Sequence, residues 1–312
     1  MRLTNALTVE TAGNTQTSAV RVLIVDGHAL AYRMFHALPE MRSPAGAPAN
    51  AIFGFIKNVR RAIQALHPTH GAVVWDGGLN RERLALLPDY KGQRPPMPDD
   101  LRSQLTPIQQ WVPLAGWKCL RQEGVEADDI IGTLARKCER EGAEVLVMSP
   151  DKDFMQLVSE RVHLWRLCGG SEERVTPAVV QRKTGVQPDQ IVDWLSLIGD
   201  ASDNIAGAPG VGPKTASKLL VEFGTISAIF NRIEQVKPER LQMVLRDSQK
   251  LLERNRKLVE LTMQPQYELP LEELRLRASD TGNEEKFLGE WGFNSLRRNE
   301  PQEPPMIQAE LF

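Results

Sequence analysis

Val22-Leu23-Ile24-Val25-Asp26 decides how this chain is read: an apolar run, mostly β-branched, that stops on a carboxylate. A short run of this kind, without polar alternation, is a strand buried on both faces, as in a parallel sheet. Ala72-Val73-Val74-Trp75 followed by Asp76 repeats the pattern, as does Val145-Leu146-Val147-Met148 followed closely by Asp151. A helix expected over 51–66 links the first two strands, which is βαβ logic and predicts an α/β fold. The acids then project from the carboxyl ends of neighbouring strands, the edge where open α/β sheets bind their ligands.

Nine carboxylates follow this layout in five clusters: Asp26; Asp76; Glu126 with Asp128 and Asp129; Asp151 with Asp153; and Asp200 with Asp203. Gathered acids repel one another and cost stability unless cations neutralise them. Oxygen ligands with no matching His or Cys favour Mg²⁺ or Mn²⁺ over zinc. A helix is expected over 126–141, and its spacing puts Glu126 and Asp129 on one face of the first turn. Helix-start chemistry is the structural alternative there, because acids in a first turn also suit the helix dipole.

Composition sets wider bounds. The chain has 312 residues, 41% of them hydrophobic, and a formal net charge of −2. It can bury a substantial core and reads as one large domain with a smaller appendage. Setting the nine acids aside leaves 31 Asp and Glu against 38 Lys and Arg, a mildly basic surface around an acidic centre. That balance suits metals carrying a reacting phosphate while Lys and Arg carry its flanks, and it also suits an ordinary solvated surface. Cys119, Cys138 and Cys168 are odd in number and lack CxxC spacing, so neither a disulfide framework nor a zinc site is indicated. No apolar stretch is long enough to span a membrane and Met1 to Val20 lacks a signal-peptide core, so a cytoplasmic location is expected.

Residues 1–19 read as a disordered leader. Residues 77–108 form a basic, proline-punctuated stretch containing Arg81, Arg83, Tyr90, Lys91 and Arg94, too long for an ordinary connection and expected to be a mobile functional element. From about residue 185 the pattern becomes all-helical. Ile191 to Ile198 ends at Gly199, and a turn then presents Asp200 and Asp203. The run Gly207 to Ala216 leads into a helix expected over 215–223, and its Gly210-Val211-Gly212 turn with Lys214 can cradle a phosphate on backbone N–H groups. A ligand-free helix–helix turn fits the same spacing. No Walker loop is present, because Pro213 interrupts the Gly-Lys-Thr run and no strand precedes it.

Seven strings occur in order: Val25-Asp26-Gly27, Trp75-Asp76, Tyr90 to Asp100, Gly124 to Asp129, Asp151-Lys152-Asp153, Gly199 to Asn204 and Pro209 to Ala216. Together they closely resemble the 5′-nuclease (flap endonuclease) family, in particular the N-terminal 5′ to 3′ exonuclease domain of bacterial DNA polymerase I. The similarity covers roughly residues 20 to 265. It implies a PIN-like parallel-sheet nuclease domain with a helical arch over 20–184, the arch at about 77–108. A helix-three-turn-helix module that grips duplex DNA would follow over 185–265, then a C-terminal return over 266–296.

The resemblance also implies roles. All nine acids correspond to metal-binding residues for two or more Mg²⁺ ions, with Mn²⁺ able to substitute. Lys91 and Arg94 match basic arch residues that engage the scissile phosphate, and Arg33 matches a basic residue after the first strand. Tyr90 offers a stacking face for a frayed base or is a packed arch aromatic. Gly210, Gly212, Lys214 and Thr215 match the duplex-backbone hairpin, where relatives often use a monovalent cation, here K⁺. The implied reaction is two-metal hydrolysis of DNA phosphodiesters at 5′ flaps, nicks or ends, selected by structure rather than sequence, by a monomer acting in replication and repair.

The departures remove no carboxylate: Pro150 stands where relatives usually have Gly, Glu82 replaces a frequent aromatic, and Ala206 and Ala208 alter the hairpin lead. No polymerase domain follows, so a stand-alone nuclease or an excised fragment is expected. A PIN-type ribonuclease and a non-catalytic DNA-binding protein are the rival readings. The ending Gln308-Ala309-Glu310-Leu311-Phe312, beyond a Pro/Glu-rich linker within 297–312, resembles the motif by which bacterial repair proteins dock on the sliding clamp. Packing of the terminal pair on its own domain is the alternative.

Overall fold

The computed structural model describes residues 20–168 and 171–297. The leader 1–19 and the clamp-motif residues Gln308, Leu311 and Phe312 lie outside the described residues. In chain order the elements of the first domain are β1 Arg21–Asp26, α1 Gly27–Ala37, α2 Asn50–Leu66, β2 His70–Trp75, α3 Arg81–Leu86, α4 Asp99–Leu114, β3 Lys118–Arg121, α5 Ala127–Arg140, β4 Glu144–Met148, β5 Val162–Cys168 and β6 Ser171–Val175. The three strands read from the sequence are present, while β3, β5 and β6 were not anticipated.

The sheet runs β3-β2-β1-β4-β5-β6, parallel throughout except for antiparallel β6. Strand β1 is therefore the switch point, with β2 on one side and β4 on the other. Its last residue, Asp26, pairs in register with Val74, and Val25 pairs with Met148. That register brings Asp26, Asp76 and the Ser149–Asp153 loop to one edge. The β1 side chains alternate between faces: Val22 and Ile24 join one core with Ile130, Ile131 and Leu134 of α5, while Leu23 and Val25 join a second with Phe55, Ile56 and Trp111. Both faces being apolar explains the unalternated sequence run.

Residues 77–108 are tied to the rest of the fold at several points. Gly77 knits the segment to the approach to α5: its N–H donates to the Val125 carbonyl (3.0 Å) and its carbonyl accepts from Gly124 (2.8 Å). A Cβ there would fall 1.5 Å from the Gln122 carbonyl oxygen, so only glycine fits. Beyond residue 98 the stretch is core. Leu101, Ile108 and Trp111 of α4 are buried, and Gln104 Oε1 accepts from the Ala51 (2.8 Å) and Ile52 (3.3 Å) N–H groups that open α2. Only residues 77–98 cross the sheet edge.

After α6 Pro177–Thr184 closes the first domain, the second module contains α7 Ile191–Ile198, α8 Pro213–Phe223, α9 Ile226–Asn231, α10 Glu239–Asp247 and α11 Gln249–Val259. It is helical with one local exception, the two-residue strands β7 Gly199–Asp200 and β8 Ile205–Ala206 around a 3-10 turn at Ala201–Asp203. Gly199 has φ +76°, and a Cβ on it would meet the Gly207 nitrogen at 2.3 Å. This tight hairpin fixes where Asp200 and Asp203 emerge. Residues after α11 fold back on the first domain and form α12 Thr281–Glu290, followed by a 3-10 turn at Asn294–Leu296. In α12 the buried Glu284 accepts from Trp111 Nε1 (3.0 Å) and Arg60 (2.8 Å). No described helix is long and apolar enough to cross a membrane.

Candidate metal centre and its cationic cover

Asp26 ends β1 and caps α1, with Oδ1 accepting the Ala29 N–H (3.0 Å) and Oδ2 the Ser149 hydroxyl (2.9 Å). Burial pushes its pKa up to about 6 despite those two hydrogen bonds, and the charges of Asp151 and Asp76 add to the rise. Asp76, at the end of β2, is held by its own N–H on His28 Nδ1 (3.0 Å) and by the Gly78 N–H on its Oδ1 (2.8 Å). Burial, then Asp151, pushes the Asp128 carboxyl well above the usual range, with Lys91 opposing. Asp151 thus faces both Asp26 and Asp128.

The second group joins the two modules. One carboxylate oxygen each from Asp153, Asp200 and Asp203 lies within 4.8 Å of the others. Asp153 Oδ1 is buried without a hydrogen-bond partner, and burial together with Asp151 raises the Asp153 pKa well above its ordinary value. Against burial, hydrogen bonds from Lys152 Nζ (2.7 Å, to Oδ2) and Ser202 hold Asp200 below its ordinary value. An all-oxygen donor set with a buried oxygen that accepts no hydrogen bond and strong mutual repulsion fits hard divalent cations. Asp26, Asp76, Asp128 and Asp151 would serve one such site, and Asp153, Asp200 and Asp203 another.

Cations from the crossing segment cover the acids. Lys91 is only 8% exposed; its Nζ binds Glu126 Oε1 (3.0 Å), lies 3.9 Å from Asp203 and sits over the Tyr90 ring. Burial would lower its pKa, but Asp128, Glu126 and Asp203 raise it above the ordinary value. Its backbone is left-handed (φ +55°), and its N–H donates to the Asp203 carbonyl (3.1 Å). Arg94, half exposed, pairs with Asp203 Oδ1. The crossing segment is therefore latched to the second module through Asp203.

Two of the expected site residues are buried. Tyr90 is buried, and its hydroxyl lies 3.3 Å from Glu126 and 3.2 Å from Asp203, so the packed-aromatic alternative holds and no stacking face is exposed. Asp129 is fully buried and committed elsewhere: both its oxygens bind the Arg83 guanidinium, and Oδ1 also accepts the Thr262 N–H (2.8 Å). Its carboxylate is thus held by Arg83 at the first turn of α5, beside Asp128. Glu126 shares Arg83 and is otherwise engaged by Lys91 and Tyr90. Arg33 lies in a crevice with Ser149 and Pro150, beside the loop that carries Asp151. Gly210, Gly212 and Lys214 are exposed at the start of α8, with Thr215 half buried behind them. Arg83 and Lys152 are the site residues the sequence did not mark out as such.

Two family models match: the 5′-3′ exonuclease N-terminal resolvase-like domain over residues 21–185, and the 5′-3′ exonuclease C-terminal SAM fold over 186–282. The chain belongs to the 5′-3′ exonuclease family. A 5′-3′ exonuclease of Aquifex aeolicus is 38% identical over 273 residues, covering 88% of this chain and 92% of that protein. DNA polymerase I of Bacillus caldotenax is 36% identical over 292 residues, 93% of this chain but 33% of the polymerase. The chain thus spans about one third of the length of such polymerase relatives. Among solved structures, the T5 D15 protein co-crystallised with metal ions superposes with a TM-score of 0.67 at 22% identity, covering 80% of this chain and 91% of that one. At that identity the likeness establishes the fold.

The repulsion among the acids predicts a trade of stability for binding. Asp26 keeps its proton to about pH 6 in the fold, against 3.8 ordinarily, so in chelator the native state loses stability as pH rises through that window. At pH 7.5 in EDTA, Asp128→Asn is expected to raise Tm by roughly 2–4 °C while shrinking the further rise produced by added Mg²⁺. A lower Tm in EDTA would show that Asp128 is paired rather than strained.

Proposed function

We propose that this chain is a structure-specific 5′ to 3′ nuclease that hydrolyses DNA phosphodiesters with Mg²⁺, for which Mn²⁺ substitutes. The observation that carries this reading is the convergence of Asp153, from the sheet edge, with Asp200 and Asp203, from the helical module, beneath Lys91 and Arg94. Divalent ions held by the two acid groups would supply positive charge to the attacking and leaving oxygens of the phosphodiester. The A. aeolicus relative bears the name 5′-3′ exonuclease, and a T5 D15 flap endonuclease was crystallised as a pseudo-enzyme-product complex with DNA and metal ions.

The residues divide the work. Asp26 Oδ2 on Ser149, Asp76 on Gly78 and Asp151 on the Asp153 N–H are oriented by hydrogen bonds before any substrate arrives, so little reorganisation remains. Lys91 and Arg94 are already poised over the acids. A scissile phosphate entering there would compete with Glu126 and Asp203 for these cations and place its charge between them and the acids' ions. The N–H groups of the exposed Gly210 and Gly212, with Lys214, would hold a duplex phosphate away from the cut. Backbone contacts of this kind read duplex geometry and leave base sequence unread.

Incubation with labelled 5′-flap DNA and with single-stranded RNA of the same sequence tests the proposal. Mg²⁺- or Mn²⁺-dependent release of 5′ fragments from the flap, none in EDTA, and much slower cleavage of RNA are expected. Preferential cleavage of the RNA would transfer the chain to the ribonuclease reading, and metal-independent cleavage would refute the role of the acids. For the hairpin, Lys214→Ala is expected to weaken duplex binding and to reduce the slope of log K against log salt by about one unit. An unchanged slope would leave that turn without a ligand.

A further inference from the structure

Arg83 is 3% exposed and uses all five of its N–H donors. Nε donates to the Leu258 carbonyl (3.0 Å), Nη1 to Glu126 Oε2 and Asp129 Oδ2 (2.9 Å), and Nη2 to Asp129 Oδ1 (2.8 Å) and the Glu260 carbonyl (3.0 Å). These acceptors come from two places. Glu126 and Asp129 belong to the first turn of α5, which also carries Asp128; Leu258 and Glu260 are at the end of α11, where the chain leaves the helical module. Arg83 itself lies in α3, at the base of the segment that carries Lys91 and Arg94.

The exit segment is pinned to α5 by further polar contacts. Thr262 N–H donates to Asp129 Oδ1 (2.8 Å), Gln264 N–H to Thr133 Oγ1 (2.8 Å), and Thr133 Oγ1 to the Asp129 carbonyl (2.7 Å). Burial alone would loosen the Arg83 proton, yet hydrogen bonding to Asp129 and the charges of Asp129 and Glu126 hold its pKa above the ordinary guanidinium value. The site is thus a charged, fully satisfied junction of α3, α5 and the α11 exit. A Lys in its place would keep one charge but offer at most three donors from one atom, which cannot span acceptors on both elements.

We propose that Arg83 is a positioning residue that couples the helical module to the metal-binding acids. Resting on the nuclease reading above, it orients Glu126, beside Asp128, and fixes the α3 base from which Lys91 reaches over them. The α11 exit is the third party in the same clamp, so the placement of the helical module and the alignment of the acids are set together.

Arg83→Lys is the test, with wild type in parallel on 5′-flap DNA. The variant is expected to bind duplex DNA within about threefold of wild type, since the hairpin is untouched. Its single-turnover cleavage should fall by about 10–100-fold, the usual cost of losing a group that orients a metal ligand. Two readouts separate positioning from mere stability: the Tm rise on adding Mg²⁺ should shrink, and amide exchange at Thr262 and Gln264 should quicken without DNA or metal. Normal cleavage by a folded variant, or a lower Tm in EDTA with unchanged cleavage and an unchanged Mg²⁺-dependent Tm rise, overturns the proposal. If Arg83→Lys fails to fold, Asp129→Asn in the same assays decides by the same criteria. Wild type that leaves flap DNA uncut would instead bring down the nuclease reading and this inference with it.

Discussion

Mutual repulsion among carboxylates at the carboxyl edge of one sheet is the constraint around which the molecule is arranged. Parallel strands β2, β1 and β4 deliver Asp26, Asp76 and Asp151 there because their registers place the strand ends side by side. Burial strips water from these carboxylates and their mutual repulsion adds to that penalty, which is why Asp26 and Asp128 resist ionisation. The surrounding structure answers with cations at fixed places: Lys91, Arg94 and Lys152 face the acids, and Arg83 locks their supporting turn. Stability and binding capacity are opposed at this edge, as is general for sites built to hold ions.

The acids do not belong to a single domain. Asp200 and Asp203 come from a tight hairpin in the helical module, fixed by Gly199, and they meet Asp153 from the sheet. The group of Asp153, Asp200 and Asp203 is therefore complete only when the two modules are docked. Docking is secured by the crossing segment at Asp203 and by the Arg83 junction at the α11 exit. The hairpin that opens α8 and the acids at the sheet edge are thereby held at a fixed offset.

Much of this was legible in the sequence for a definite reason. Strands buried on both faces leave unalternated β-branched runs, and acids at their ends mark the ligand edge, so the sheet centre and the acid clusters could be read directly. Strands β3, β5 and β6, in the outer parts of the sheet, carry polar residues and lack that signal. The Glu126 and Asp129 spacing showed that they share a helix face but not what the face meets. The answer is Arg83, 43 and 46 residues away in sequence, and it reads as one more surface base in a basic stretch until the fold buries it. Tyr90 and the 99–114 helix were hidden similarly: a polar, proline-punctuated stretch suggests mobility, whereas Leu101, Gln104, Ile108 and Trp111 place much of it in the core.

Counting bound divalent ions tests the account most directly. Titrating the metal-free protein with Mn²⁺, monitored by calorimetry and by the electron paramagnetic resonance of free Mn²⁺, should give two ions per chain, with Asp200→Asn weakening one and leaving the other. Binding of no ion, or two ions both indifferent to Asp200, would contradict the assignment of Asp153, Asp200 and Asp203 to a site of their own.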